Sequence, residues 1–227
     1  MHASDSSADN LRGFKAIARS GKGLPYALKQ TMYTLVQFKD NQQALKRLAF
    51  ASTAIGKIQV RQRELCAQIL CVMVRFCDVE NGNIGIAKPN YMDTVTHQDL
   101  IREYERSFGP IHRSRWFRGI ALLKCAGYLD VMAVNIDVSG QKQYRAKAAY
   151  KTLTDRFFSD TGVMHRDDVK KSVAKAKSRR LGSGLSNVFP TYQQLKTLFL
   201  QERAKFFDFP DTEGELFAFA GLSPHPH

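Results

Sequence analysis

The sequence predicts a mainly α-helical protein with one small β-hairpin, and three features carry that prediction. Apolar residues recur at three- and four-residue intervals along most of the chain, the spacing that lines one face of a helix. β-Prone residues gather in one place, Leu129 to Val138, which leads into a Ser139-Gly140 turn signal and a return strand over Gln141 to Ala146. Glycines stand where helices should stop, at Gly109-Pro110 and at Gly127.

Residues 1–10 are polar with nothing to bury and are expected to be disordered. Residues 11–58 form a helical preface. Its opening, Leu11 to Gly23, carries Arg12, Lys15, Arg19 and Lys22 and reads as a solvated basic loop or an arm for phosphate. Leu28, Met32, Leu35 and Val36 then mark a helix over 26–38, and Leu45, Leu48, Ala49 and Ile55 a second over 42–55 with Asp40 as its cap. Residues 59–160 form the central domain. Leu65, Ile69, Val72, Met73 and Phe76 give a helix over 59–76 apolar enough to sit inside a core. Asn81-Gly82 is a turn pair, and Ile84-Gly85-Ile86 a short strand expected to pair with the hairpin. Thr96 caps a helix over 97–107 whose Leu100, Ile101 and Tyr104 face inward.

The helix between the two glycine breaks has unlike faces. Trp116, Ile120 and Leu123 fall on one side with Phe117 at its margin, and Ser114, Arg115 and Arg118 fall on the other. Helix, strand, helix, turn, helix and two-stranded ribbon is the order of a winged helix-turn-helix domain, here with N-terminal and C-terminal helical extensions. In that fold the last helix enters a DNA major groove and the ribbon touches phosphates. Beyond the ribbon, Leu153, Phe157 and Phe158 are expected to pack on the domain. Residues 161–184 hold a basic helix over 167–181 and a flexible joint at Gly182 to Gly184. The helix has only Val169, Val173, Ala174 and Ala176 as apolar support, while Lys170, Lys171, Lys175, Lys177, Arg179 and Arg180 place like charges on neighbouring turns. An anion would relieve that repulsion. Residues 185–227 supply a helix over 192–207 and an acidic, aromatic tail.

Lys and Arg total 34 against 21 Asp and Glu, a net charge of +13 that favours a polyanionic partner. The excess is local: Arg102 to Arg180 holds 18 basic and 8 acidic residues, whereas Leu185 onward holds 3 and 5. No apolar run approaches the roughly 20 residues of a membrane-spanning helix, and the polar N-terminus lacks the apolar core of a signal peptide. A cytoplasmic protein with no membrane partner is expected. Cys66, Cys71, Cys77 and Cys125 have no zinc-ligand spacing and read as buried reduced thiols, so neither metal nor cofactor is expected. No GxxxxGK[ST] phosphate loop is present, which argues against an ATPase. His225-Pro226-His227, the one near match to the metal-holding His pair of nickases, has a proline where a strand would be needed. These features point away from an enzyme.

The run from Arg118 to Leu129, RGIALLKCAGYL, is followed by an aspartate, a turn, aromatic residues and TLTDRFFSDTGV (Thr152 to Val163). A basic helix ending Lys177-Ser178-Arg179-Arg180 comes next. This succession resembles the replication initiators of IncFII-type, theta-replicating plasmids. The likeness covers Arg61 to Arg180, about half the chain, and lies in the order of short motifs. It implies a sequence-specific protein that binds double-stranded origin DNA and recruits the host helicase or its loader. Apart from the resemblance, a homodimer is one candidate working form and a monomer the other. By the same resemblance Arg115 and Arg118 match arginines of the reading helix, and Arg179 and Arg180 the basic helix after the wing. The chain departs from those initiators in its preface over 26–55 and in the acidic segment after Leu185, where they are long and basic.

Arg115 and Arg118, one turn apart, are the candidates for bidentate contact with guanine O6 and N7, with Ser114 as a less selective donor. His112 and Arg113 at the helix start are candidates for phosphate, as are Lys142, Gln143, Arg145 and Lys147 on the ribbon and Lys170, Lys171, Lys177, Arg179 and Arg180 on the later helix. A winged-helix transcription regulator needs the same reading helix and could use 192–207 to dimerise. A charge-driven nucleoid or RNA-binding protein would need Trp116 exposed for stacking, and the wheel places it inward.

Overall fold

The computed structural model describes residues 13, 24–38, 40–51, 58–137 and 144–207, with side chains for all of these except 136–137, 144–148, 199–200 and 202–207. The basic loop at 14–23, the Ser139-Gly140 turn and the His225-Pro226-His227 tail therefore lie outside the described residues. The chain is mainly helical with two antiparallel strand pairs, and it divides into compact units over 1–190 and 191–227. No helix among the described residues is long and apolar enough to cross a membrane.

Helix α1 spans Tyr26–Phe38 and buries Leu28, Met32, Leu35 and Phe38, which fall on one face at three- and four-residue steps. The cap of the next helical segment is Asn41, not Asp40: its side chain accepts the Gln43 N–H at 3.0 Å. A 3-10 turn over Gln42–Leu45 leads into a short α2, Lys46–Ala49. The helix expected to reach Ile55 stops there, because the Phe50 and Ala51 N–H groups turn back onto Arg47 and Leu48 carbonyls. Helix α3, Val60–Arg75, opens with reciprocal hydrogen bonds between Gln59 and Gln62 and is buried continuously from Leu65 to Val74. It is the axis of the core, and the preface packs directly on it rather than standing apart.

After α3, the Asp78 carboxylate accepts N–H groups of Glu80 and Asn81, forming the expected turn. Gly82 has φ +74°, and a Cβ there would lie 2.1 Å from the Leu153 carbonyl oxygen, so no other residue fits. Strand β1 is Gly85–Ala87, and its partner is β2, Met92–Thr94, a strand that the alternation in the sequence does not announce. The link to the ribbon comes one step earlier. Ile84 donates to the Lys151 carbonyl and Leu153 to the Gly82 carbonyl, both at 2.9 Å.

Helix α4, His97–Phe108, has the predicted Thr96 cap, closed by Asp99 in return, and buries Leu100, Ile101 and Tyr104. Gly109 ends it at φ +87°. Helix α5 runs Arg113–Cys125 and stops at Gly127, φ +69°, where Tyr128 donates to the Leu123 carbonyl and Gly127 to that of Lys124. Strands β3, Leu129–Asp137, and β4, Tyr144–Leu153, form the ribbon, paired from Leu129–Leu153 to Asp137–Tyr144. The return strand, which the sequence predicts to end at Ala146, continues to Leu153. What extends it is Lys151, whose buried ammonium donates to the carbonyls of Val95 at 2.7 Å and Ala149 at 3.1 Å. A charged residue thereby occupies a core position with its nitrogen hydrogen-bonded to two carbonyls, where hydropathy reads a strand end. Burial lowers that ammonium to about 8.

Thr154 caps α6, Asp155–Asp160, which buries Phe157 and Phe158 as expected. Helix α7, Asp167–Gly182, rests on α1 through Val169, and the Ser172 hydroxyl accepts the Ala27 N–H. In place of a flexible joint, Gly184 at φ +64° closes α7, with Leu185 donating to the Arg180 carbonyl and Gly184 to that of Leu181. The chain then folds back along the small hairpin: Ser186 donates to Lys88, Met92 to Val188, and the Tyr150 ring stacks on Phe189 at 4.4 Å. In the second unit, Thr191 and Gln194 exchange the capping bonds that open α8, Tyr192–Phe207.

Three of the cysteines are buried, and burial pushes the Cys66 thiol up to about 12 and those of Cys71 and Cys77 higher still. Cys125 departs from the expectation: it is exposed, because it ends α5 on the side away from α3.

Candidate nucleic-acid interface

Helix α5 owes its placement to four inward residues. Trp116, Gly119, Ile120 and Leu123 are buried. At Gly119 a Cβ would sit 2.4 Å from the Ile69 side-chain methyl Cδ1, which marks how closely α5 lies against α3. The Trp116 ring meets Tyr104 edge-on at 5.9 Å, and its indole N–H donates to His97 Nδ1 at 3.2 Å. Burial, reinforced by the charges of Lys151 and Arg113, lowers His97 to about 4, so it is neutral at physiological pH and free to accept.

The opposite face is polar and exposed: His112, Arg113, Ser114, Arg115 and Arg118 all lie on it. Arg113, Arg115 and Arg118 have no carboxylate partner among the described residues. Phe117, 37% exposed, holds the margin between the faces. The Arg113 guanidinium sits 5.6 Å over its ring, and His97 meets it edge-on at 5.1 Å. His112 caps the helix, accepting the Ser114 N–H on Nδ1, with the Ser114 hydroxyl 2.7 Å from the same nitrogen. The outer face of α5 therefore combines a positive dipole end with three guanidinium groups that have no carboxylate partner among the described residues.

Of the ribbon candidates, Lys142 and Gln143 lie outside the described residues. Arg145 pairs with Ile136 in the ladder, and Lys147 is the additional residue of β4 where the register shifts between Val134 and Asn135. Such a bulge twists a ribbon locally.

On α7 the six cations divide, which the sequence did not reveal. Lys177 and Arg180 each reach Glu80 at 2.6 Å, and Arg180 also lies 3.8 Å from Asp78 and donates to the Leu185 carbonyl at 3.1 Å. Hydrogen bonding to Lys177, then to Arg180, holds the Glu80 carboxyl below its usual range. With its side chain only 14% exposed, Arg180 is a structural tie between α7 and the turn after α3, not a phosphate contact, and Lys177 serves beside it. Lys170 is engaged by Asp167 at 3.1 Å. Lys171, Lys175 and Arg179 are exposed and have no carboxylate partner among the described residues. Spaced four residues apart, they form one stripe with charges about 6 Å apart along the axis. Lys175 belongs with the candidates, and its spacing from Lys171 and Arg179 was the signal for it. His97 was also missed, because nothing local in the sequence places it beside Trp116 and Phe117.

Among the described residues no group of three His, Cys, Asp or Glu side chains is placed to hold a metal ion. The chain matches no protein-family model, no curated protein and no solved structure against which it was compared.

Proposed function

We propose that this is a sequence-specific double-stranded DNA-binding protein of winged-helix type, with α5 as the helix that enters the major groove and the β3–β4 ribbon as the wing. The observation that carries the proposal is the two-sidedness of α5. One face is fixed on α3 and α4 by Trp116, Gly119, Ile120 and Leu123, and the other offers Arg113, Arg115 and Arg118 with no carboxylate partner among the described residues. Three guanidinium groups left without carboxylates on a rigid helix suit guanine edges and phosphates, which arginine engages through paired N–H groups. Arg115 and Arg118 read bases, Arg113 and His112 set the register on the backbone, and the Lys171, Lys175 and Arg179 stripe adds sequence-independent attraction.

The resemblance of residues 61–180 to IncFII-type initiators extends this to a role: marking a plasmid origin and recruiting the host helicase or its loader from a cytoplasmic site of action. The test is replication in trans. A circular DNA carrying the sequence that flanks this gene, and no other origin, is expected to persist only when the protein is supplied, with a footprint on that sequence at moderate salt. Persistence without the protein, or no protected sequence at either low or moderate salt, overturns the assignment.

A further inference from the structure

His97 is the first residue of α4, outside the helix assigned to reading, yet its ring is locked against that helix. The Trp116 indole nitrogen can only donate, so His97 Nδ1, 3.2 Å away, must be the unprotonated acceptor. In a neutral imidazole the remaining hydrogen then lies on Nε2. That nitrogen has no partner among the described residues, and no buried side-chain nitrogen or oxygen among them lacks one, so Nε2 reaches the surface. The ring meets Phe117 edge-on at 5.1 Å and feels the charges of Lys151 and Arg113, at the positive end of α4 just after the Thr96 cap. A fixed N–H, in a positive field, beside the first turn of α5, is suited to an anionic oxygen and not to a cation.

We propose that His97 is a DNA-contact residue: Nε2–H donates to a phosphate oxygen of the strand flanking the groove that α5 enters, and Trp116 sets the tautomer that makes this possible. The inference rests on α5 being the groove helix. It assigns the backbone contact to the preceding helix, whose start crosses the phosphate chain in that docking geometry. Because the donor is uncharged it displaces no counterion, so its loss weakens binding without changing salt dependence.

Two substitutions separate this role from a purely structural one. His97→Asn keeps an acceptor near the position of Nδ1 for Trp116 and removes the distal donor, whereas His97→Gln places an amide N–H near the position of Nε2 and leaves the indole unpaired. The probes are a duplex enriched by the wild-type full-length protein from a randomised pool, and a scrambled duplex of equal length. His97→Asn is expected to lose about tenfold in affinity on both duplexes with an unchanged salt slope, and His97→Gln to stay within about twofold of wild type. Nitrogen-15 spectra of the free full-length protein are expected to place the His97 proton on Nε2. Wild-type affinity for His97→Asn, the reverse ranking of the two variants, or a proton on Nδ1 overturns the proposal. Arg118→Ala is the control for the underlying reading. If it loses the preference for the enriched duplex while His97→Asn binds as wild type, only the His97 contact fails. If the wild type binds neither duplex, the groove assignment fails and takes this with it.

Discussion

Helices α5 and α7 are both rich in basic residues, with no acidic residue in α5 and only Asp167 and Asp168 at the start of α7, yet the fold uses their charges differently. On α5 the three arginines face outward without a counter-charge among the described residues, and the helix is held by apolar burial on its other side. On α7 burial is slight, with Val169 alone fully enclosed, and two of the cations do the holding: Lys177 and Arg180 are tied to Glu80 and Asp78. Charge density in a sequence therefore does not identify an interface. What distinguishes one is whether the fold supplies its own anions, and carboxylates in the turn after α3 do so for α7 alone.

The widest gap between the two helices is expected in what removes them. Trp116→Ala should lower stability by about 4 kcal/mol in urea unfolding, since it empties a fully buried site and unseats α5 from α4. No single truncation on α7 should approach that. A loss below about 1 kcal/mol would mean that α5 is not anchored as described.

His97 makes the seating of α5 sensitive to acid. Its folded-state value of about 4 lies below the ordinary 6.5, so the folded protein binds fewer protons than the unfolded chain between those values. Its contribution is fully present above pH 6.5 and is lost as pH falls through 4. Allowing for solvent screening of a partly exposed ring, the loss is about 2 kcal/mol. The slope of stability against pH in that window should flatten in His97→Asn, and an unchanged slope would show that the imidazole is not held neutral.

Arg118→Ala should cost about 1 to 3 kcal/mol in binding an enriched duplex and erase base preference, while leaving the melting temperature unchanged. Arg180→Ala should behave in the opposite way. Loss of its bonds to Glu80 and the Leu185 carbonyl is expected to lower stability by about 1 to 2 kcal/mol, with no base-specific effect on binding. If Arg180→Ala melts like wild type but binds DNA poorly, the division between the two helices is wrong. The smallest effect belongs to Lys175→Ala on the free stripe of α7, expected to reduce the salt slope by about one unit on every duplex and to leave stability within about 0.5 kcal/mol.

Features governed by neighbours in sequence were legible before the fold was known. The 3.6-residue period placed Trp116, Ile120 and Leu123 inward and Arg115 and Arg118 outward, Thr96 announced α4, and Gly109 and Gly127 marked helix ends with the positive φ they require. What depended on distant partners was not. Asn41 displaced Asp40 as a cap because its carboxamide reaches the Gln43 N–H. β4 runs on to Leu153 because Lys151 finds the Val95 carbonyl across the core. Gly184 sits in a helix stop rather than a loose joint, since the segment after it bonds back to Lys88 and Met92. The same holds for the site: the outward face of α5 could be read from spacing, whereas the capture of Arg180 by Glu80, a hundred residues away, could not.

The central claim is that the outward arginines of α5 select DNA sequence, and a selection experiment measures it directly. Wild type and the Arg115→Ala, Arg118→Ala double variant would each be used to enrich duplexes from the same randomised pool at moderate salt. Wild type is expected to yield a guanine-containing consensus, and the double variant to retain salt-dependent binding while yielding none. The same consensus recovered by both proteins, or no consensus from wild type, would contradict the account.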